Sequence, residues 1–506
     1  MPISRPQKVS TRLANLRRKA HILLRENKYS EAWVPIQEIL NIDMDDSQGL
    51  YMWGVCMRHT GHYGAAAQLF RRVCAFEPRE PNSWMHFGAA MHDIHMYDEA
   101  LEVFQIIEKL IPGDPGVYAN MAASYVQKGE FHQGLNYANM ALEKKPDYPR
   151  ALACKGMACL GLERWKEGFK EYKNLYGSQI TIRNYCIPEE PEWDGTKGLT
   201  VVVQCDQGIG DEIRYASMLH ELAKDCKQVL LDCHPKLVNV FKRSFPEIQV
   251  YGTKKLKQGI EWPLEYKIDA RTHISGLGQF YRQKSENFPR KPYLVPNEDL
   301  RLKWREKLKD LERPLVGLAW QGGTSRTGRE LRSTLLSQWK PLVECGGTFV
   351  DMSYHDSKDE AEAFGLYRPD INHDDYDDTL ALIAELDLIV CVPTTVIHAA
   401  GSIGKPVWVM VPPYPSWEFG LYRDDMIWYE PGLVKLYRAK DFNETIDLIA
   451  IDYANSFPGL HRKESGENTG SRVLVVDGSP SRRISSSDNQ HEEGKVAQTN
   501  VARTAW

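Results

Sequence analysis

The chain has 506 residues, enough for two to four domains at roughly 100–200 residues each. Hydrophobic residues make up 42% and charged residues 26%, as expected of a globular protein with a substantial core. The 63 Lys+Arg against 68 Asp+Glu give a formal net charge of -5, which excludes a dedicated nucleic-acid binder with its basic surface. No run approaches about 18 consecutive apolar residues, so no transmembrane segment is expected. The basic N-terminal segment lacks the apolar core of a secretory signal. Ten cysteines without a CxxC pair predict a reducing, cytoplasmic location rather than a zinc or disulfide scaffold.

In chain order the first feature is an internal period. An aromatic recurs every 34 residues at Tyr29, Tyr63, Tyr97, Phe131 and Trp165, and a small residue follows three positions later at Ala32, Ala66, Ala100, Gly134 and Gly168. A second small set stands at Gly54, Gly88, Ala122 and Gly156, and prolines at Pro78, Pro112 and Pro146 keep the same step. Small residues let two antiparallel helices approach closely, the aromatic plugs the gap between successive hairpins, and proline ends the second helix. Such hairpins cover one another's apolar faces and stack into a superhelix. The pattern resembles the tetratricopeptide repeat, with about five units over residues 10–176. That resemblance implies a surface for a protein or peptide partner, and the repeat by itself catalyses nothing. Most aromatics here read as core; Trp33, Trp53 and Trp84 are open to either core packing or a peptide groove.

Residues 177–198, rich in Pro and Gly, read as a linker, and a βα pattern follows. Residues 199–205 and 228–234 read as buried parallel strands, with a helix over EIRYASMLHELAKDC between them. The pattern restarts after 285–312 with strands at 313–320, 347–353, 388–392 and 405–411, a glycine- and arginine-bearing loop after the first, and helices over TLLSQWKPLVEC and TLALIAELD. The expected architecture is therefore α plus α/β: a helical-hairpin superhelix, then two Rossmann-like halves over residues 199–295 and 312–450 that face each other across a cleft. Residues 457–506, polar and aperiodic except for VLVV at 473–476, read as a disordered tail.

An ordered set of short motifs carries a second resemblance, over about residues 190–440. It runs WDG (193–195), QGIGDEIRYA (207–216), GLAWQGG (317–323), RS (332–333) and LDLIVCVPTTVIHAAGSIGKPVWVMVP (386–412), followed by PSWEFG and WYEP. The set is similar to GT-B type glycosyltransferases of the heptosyltransferase-like group (glycosyltransferase family 9), especially members with N-terminal tetratricopeptide repeats. The resemblance implies inverting sugar transfer from a nucleotide-sugar donor bound mainly by residues 312–450, with no further cofactor and no metal. In layout the chain is also similar to the protein O-linked N-acetylglucosamine transferases, which admits a protein as well as a glycan acceptor. Where heptosyltransferases carry an aspartate just before the motif's threonine, Pro393 stands here, so a heptose donor is not implied.

The residues themselves fit such a cleft. Gly208 and Gly210 follow the end of a strand, where parallel sheets bind ligands, and Asp211 comes next at a helix start. By the GIGD motif Asp211 matches the general base of the resembled family; the other reading is an aspartate capping free helix amides. Thr394 and Thr395 open a helix whose free N–H groups suit a diphosphate, and ordinary capping is compatible with that. Gly322 and Gly323 allow close backbone approach to a ligand. Arg332, with Ser333, matches the family's basic position and suits phosphate charge, whereas Arg326 and Arg329 read as solvated loop residues. His398 reads first as a packed structural histidine and otherwise as a support for the site. The acidic run at 374–378 offers carboxylates for a divalent cation, but its place before a helix favours capping. Two functions follow: a glycosyltransferase whose repeats recruit the acceptor or a partner, or a non-enzymatic repeat scaffold with a degenerate glycosyltransferase-like part.

Overall fold

The computed structural model describes residues 7–177, 190–205, 208–253, 266–323, 328–354 and 358–460. Of the tail expected over 457–506, residues 461–506 with the VLVV patch lie outside the described residues, as do most of the 177–198 segment and Arg326, whereas Phe457 packs on Tyr453 at 5.0 Å and so belongs to the fold.

The 34-residue period becomes ten helices in five antiparallel hairpins: α1 (Gln7–Arg25) with α2 (Tyr29–Ile42), α3 (Ser47–His59) with α4 (Tyr63–Phe76), α5 (Pro81–Asp93) with α6 (Tyr97–Leu110), α7 (Pro115–Gln127) with α8 (Phe131–Lys144), and α9 (Pro149–Gly161) with α10 (Trp165–Tyr172). Each periodic aromatic is the first residue of a second helix. Each small residue of the other set faces the partner helix: a Cβ on Gly54 or Gly88 would lie 2.8 or 2.6 Å from the ring of Phe70 or Phe104, and one on Gly156 would lie 2.6 Å from the Tyr172 backbone. The plugging role is visible where Tyr29 stacks on His59 at 4.4 Å and where Phe131 fills the space beside Gly161, both in the next hairpin. Helices α4, α6 and α8 stop two residues before Pro78, Pro112 and Pro146, because the residue before a proline avoids the helical region. The repeats are tetratricopeptide-like.

The remaining elements form two parallel sheets flanked by helices. The first has β1 (Thr200–Gln204), β2 (Gln228–Asp232), β3 (Gln249–Tyr251) and β4 (Ala270–His273) in the order β3-β2-β1-β4, with α11 (Ile209–Ala216), α12 (Leu219–Asp225), α13 (Val238–Ser244) and α14 (Gly278–Tyr281). After α15 (Glu298–Leu308) comes the second, with β5 (Leu315–Ala319), β6 (Thr348–Asp351), β7 (Leu388–Cys391), β8 (Val407–Met410) and β9 (Val434–Tyr437) in the order β6-β5-β7-β8-β9. Its helices are α16 (Arg329–Arg332), α17 (Lys340–Val343), α18 (Lys358–Ala363), α19 (Tyr376–Glu385), α20 (Thr395–Ser402) and α21 (Phe442–Ser456). All pairings in both sheets are parallel, as expected of the continuous apolar strands such as β1 and β7.

Several elements differ from the sequence reading. Strands β3, β4 and β9 and helices α14, α15, α16, α18 and α21 are additional. The helix expected over residues 212–226 is broken between α11 and α12, where the Ser217 carbonyl accepts from Arg282 Nη2 (3.1 Å) instead of from its own helix. The helix expected over residues 334–345 is a 3-10 turn at Leu336–Trp339 followed by α17, because Pro341 has no N–H to continue the ladder. Within the segment read as a linker, Trp193 is buried, packs at a tilt on Phe280 with ring centroids 4.6 Å apart, and follows Glu192, which bridges to Arg271 in β4.

The repeats and the α/β part share one continuous core. Trp165 donates to Ser285 Oγ (3.0 Å), Phe169 lies against Gly278 so closely that a Cβ there would be 2.3 Å from the ring, and Tyr172 meets Trp417 edge-on at 5.7 Å. The periodic aromatic that plugs hairpin into hairpin thus plugs the last hairpin into the α/β part. No helix among the described residues is long and apolar enough to cross a membrane.

Candidate functional site

Helices α11 and α20 start just beyond the carboxyl ends of β1 and β7, and the loop after β5 ends beside them. In parallel sheets this end collects the loops that reach ligands. Gly208 is the N-cap of α11, and its N–H donates to Asp211 Oδ2 (3.1 Å). Gly210 lets α11 touch α20: a Cβ there would lie 3.0 Å from His398 Cδ2 and 3.4 Å from Thr395 Cα. Its smallness serves packing between helices of the two sheets rather than access for a ligand.

Asp211 sits at the third position of α11, so the capping reading describes one of its oxygens. The other accepts from Arg214 Nη2 at 2.8 Å. Arg214 is buried, pairs also with Glu418, and lies over the rings of Tyr215, Trp417 and Trp428 at 4.7, 5.0 and 5.7 Å. A guanidinium there keeps its charge because two carboxylates and three ring faces replace water.

On the other side, Thr394 is the N-cap of α20, its hydroxyl accepting from Val396 N at 3.3 Å, and Thr395 is the first helical residue facing Gly210. His398 is buried; its Nδ1 lies 2.8 Å from the Tyr429 hydroxyl and its Nε2 3.5 Å from Glu418. Burial holds its pKa well below the ordinary histidine range, and the Arg214 charge adds to this, so the ring is neutral near pH 7. His398 is therefore a packed, hydrogen-bonded residue behind the site.

Gly322 has a packing reason of its own: a Cβ would lie 2.4 Å from the Pro393 carbonyl oxygen, so the loops after β5 and β7 close on each other only with glycine here. Its N–H donates to Ser333 Oγ (3.1 Å). Gly323 has φ +76°, and its carbonyl accepts from the Tyr354 hydroxyl (3.1 Å). Arg332 closes the one-turn helix α16. Burial lowers its pKa, while Tyr354, Tyr97 and Asp211 oppose that shift. Arg329 donates to Gln321 Oε1. Helix α11, which carries Asp211, thus packs on the N-terminus of α20 at Gly210, and Asp211 is among the groups that oppose the lowering of the Arg332 pKa.

The acidic run at 374–378 is committed to structure. Asp375 caps α19, accepting from Asp377 N (3.0 Å); Asp377 pairs with Arg243 of α13 (2.9 Å); Asp378 accepts from Trp304 Nε1 (2.8 Å). No cluster suited to a metal ion occurs among the described residues.

Sequence reasoning missed Arg214, Glu418 and Tyr429. The usable signal was Arg214 itself: a lone arginine inside the run Ile213–Ala216, otherwise apolar or aromatic, needs a buried partner.

No family model matches the chain. Protein FlbA of Caulobacter vibrioides is 24% identical over 395 residues, covering 72% of this chain and 66% of FlbA. That alignment is longer than the repeat array and so continues into the α/β part. The chain spans just under two thirds of the length of that relative. An Hsp70-Hsp90 organising protein of Plasmodium falciparum is 24% identical over 170 residues, 29% of this chain and 67% of that protein. Among solved structures, MamA from Desulfovibrio magneticus RS-1 aligns with 34% of this chain and 98% of its own, with a TM-score of 0.30 and 18% identity. A thermophilic tetratricopeptide protein of Thermus thermophilus, TTC0263, aligns with 32% and 90%, with a TM-score of 0.29 and 19% identity.

Proposed function

We propose that the α/β part is a GT-B type glycosyltransferase that uses a nucleotide-sugar donor and inverts the anomeric centre, with the repeats recruiting the acceptor or a protein partner. One observation supports this reading: α11, which carries Asp211, packs on the N-terminus of α20 at Gly210, just beyond the carboxyl ends of β1 and β7, 184 positions apart in the chain (211 to 395). Arg332 and the N–H groups opening α20 would hold the donor's diphosphate and neutralise it as the nucleotide leaves. An acceptor hydroxyl oxygen would form the new bond to the anomeric carbon as the carbon–phosphate-oxygen bond breaks, its proton passing to the Asp211 carboxylate. Arg214 would hold that carboxylate in place. Nucleotide sugars and the free cysteines of the described residues fit a reducing cytoplasm.

A second reading, a non-enzymatic scaffold with a degenerate transferase fold, draws on Pro393 and on Asp211, both of whose oxygens already have protein partners. Calorimetry of the full chain against ADP-, GDP-, UDP- and CDP-linked sugars, beside Arg332→Ala, separates the two. The transferase reading expects one nucleotide to bind and the arginine variant to lose at least tenfold in affinity, about 1.4 kcal/mol. A correctly folded chain that binds none of the four is the scaffold.

A further inference from the structure

The turn inside each hairpin contains one residue in the left-handed region, and these also recur every 34 positions: Asn27 (φ 57°), Gly61 (87°), His95 (65°), Gly129 (77°) and Glu163 (57°). Glycine and asparagine adopt that conformation at little cost, whereas other side chains adopt it under strain. The two turns that carry neither glycine nor asparagine are those whose side chains reach the α/β part. Glu163 pairs with Arg423 at 3.4 Å. The His95 imidazole lies against Gly328, where a Cβ would be 3.3 Å from both Cε1 and Nε2. Gly129, the intervening turn, touches Pro415 through its bare backbone side.

Gly328 is the residue from which α16 springs, with φ +70°, and α16 ends in Arg332. His95 is itself fixed from behind: its Nδ1 lies 2.9 Å from the Tyr97 hydroxyl, and Tyr97 meets Tyr414 edge-on at 5.4 Å. Tyr97 is buried, and it is one of the groups that oppose the lowering of the Arg332 pKa. The third repeat therefore abuts the arginine-bearing turn instead of ending short of it.

We propose that the third repeat forms one wall of the anion site, with His95 as a positioning residue that holds the turn carrying Arg332. This rests on the reading of Arg332 as a phosphate ligand. The strain accepted at His95 is then the cost of setting an arginine that would otherwise sit on a free one-turn helix. The repeats are in this way part of the ligand site and not a separable recruiting arm.

The test uses the full chain with UDP, GDP, ADP and CDP as probes. His95→Asn keeps a residue that tolerates the left-handed turn and removes the imidazole from Gly328; His95→Gly removes strain and side chain together. We expect both to bind the preferred nucleotide roughly five- to tenfold more weakly than wild type, and to have no further effect in an Arg332→Ala background. Hydrogen exchange of residues 328–335 should quicken in both variants while that of β5 and β7 stays unchanged. Unaltered exchange of residues 328–335 overturns the proposal, as does a loss of affinity that adds fully to that of Arg332→Ala. Should the wild-type chain bind none of the four nucleotides, the transferase reading fails, and the exchange result alone decides whether His95 holds the turn.

Discussion

His92 gives the sharpest quantitative test of the repeat packing. It lies in α5 with Nδ1 3.0 Å from Ser124 Oγ of α7 and its ring 5.3 Å from that of Tyr97. Burial pushes its pKa down to about 3, and the charges of Arg150, His95 and Arg58 add to the shift. In the unfolded chain the same group titrates near 6.5. Between those values the unfolded state binds the extra proton, so stability is complete above the unfolded pKa and falls as the pH drops. From pH 7 to pH 5 the loss is about 1.5 units at about 1.36 kcal/mol each, or about 2 kcal/mol. Any folded pKa well below 5 gives the same figure, so the result does not depend on how deep the shift runs. His86 and His273, both lowered to about 4 by burial, contribute in the same direction and remain in a His92→Gln variant. The variant should therefore lose about 2 kcal/mol less than wild type over that interval. Urea unfolding at pH 7 and pH 5, followed by both tryptophan fluorescence and circular dichroism, measures the difference where the two signals coincide. Equal losses in wild type and variant would refute the argument that this half-buried imidazole is held neutral.

The other expectations concern packing and the site. Arg214→Met leaves Asp211 and Glu418 without their shared cation and should cost about 3–5 kcal/mol, read as a lowered denaturation midpoint; a cost under 1 kcal/mol would mean the pairs are not closed. Gly88→Ala gains about 0.5–1 kcal/mol of helix propensity but drives a Cβ to 2.6 Å from Phe104, at about 1–3 kcal/mol, so net destabilisation is expected. Phe104→Leu in the same chain should recover part of it, and Gly64→Ala, with nothing within 4 Å, should be neutral or stabilising. A Gly88→Ala chain that melts above wild type would disprove the close approach of α5 and α6. Together with the Arg332 and His95 variants above, these separate what the repeats do for stability from what they do for the site.

The sequence by itself determined the repeats and six of the nine parallel strands of the described residues. A period of 34 in four registers states where each hairpin turns, since small residues, aromatics and prolines act on their immediate neighbours. Continuous runs such as residues 199–205 and 388–392 announce buried strands in the same local way. Short or mixed segments were not legible: β3 is three residues long, and β4 carries Arg271 and His273 within four. The site divided along the same line. Thr394 capping α20 and Asp375 capping α19 follow from local sequence, because a cap bonds the amides two or three positions ahead. Tertiary structure alone decided that Gly210 and Gly322 serve contacts between loops and helices, that Arg214 pairs with Glu418 across 204 positions, and that His95 of the third repeat rests on Gly328. Those contacts join segments whose separation carries no period, and they depend on how the superhelix and both sheets pack. Local pattern fixes each element, whereas the meeting of elements is set by the shapes that fill the space between them.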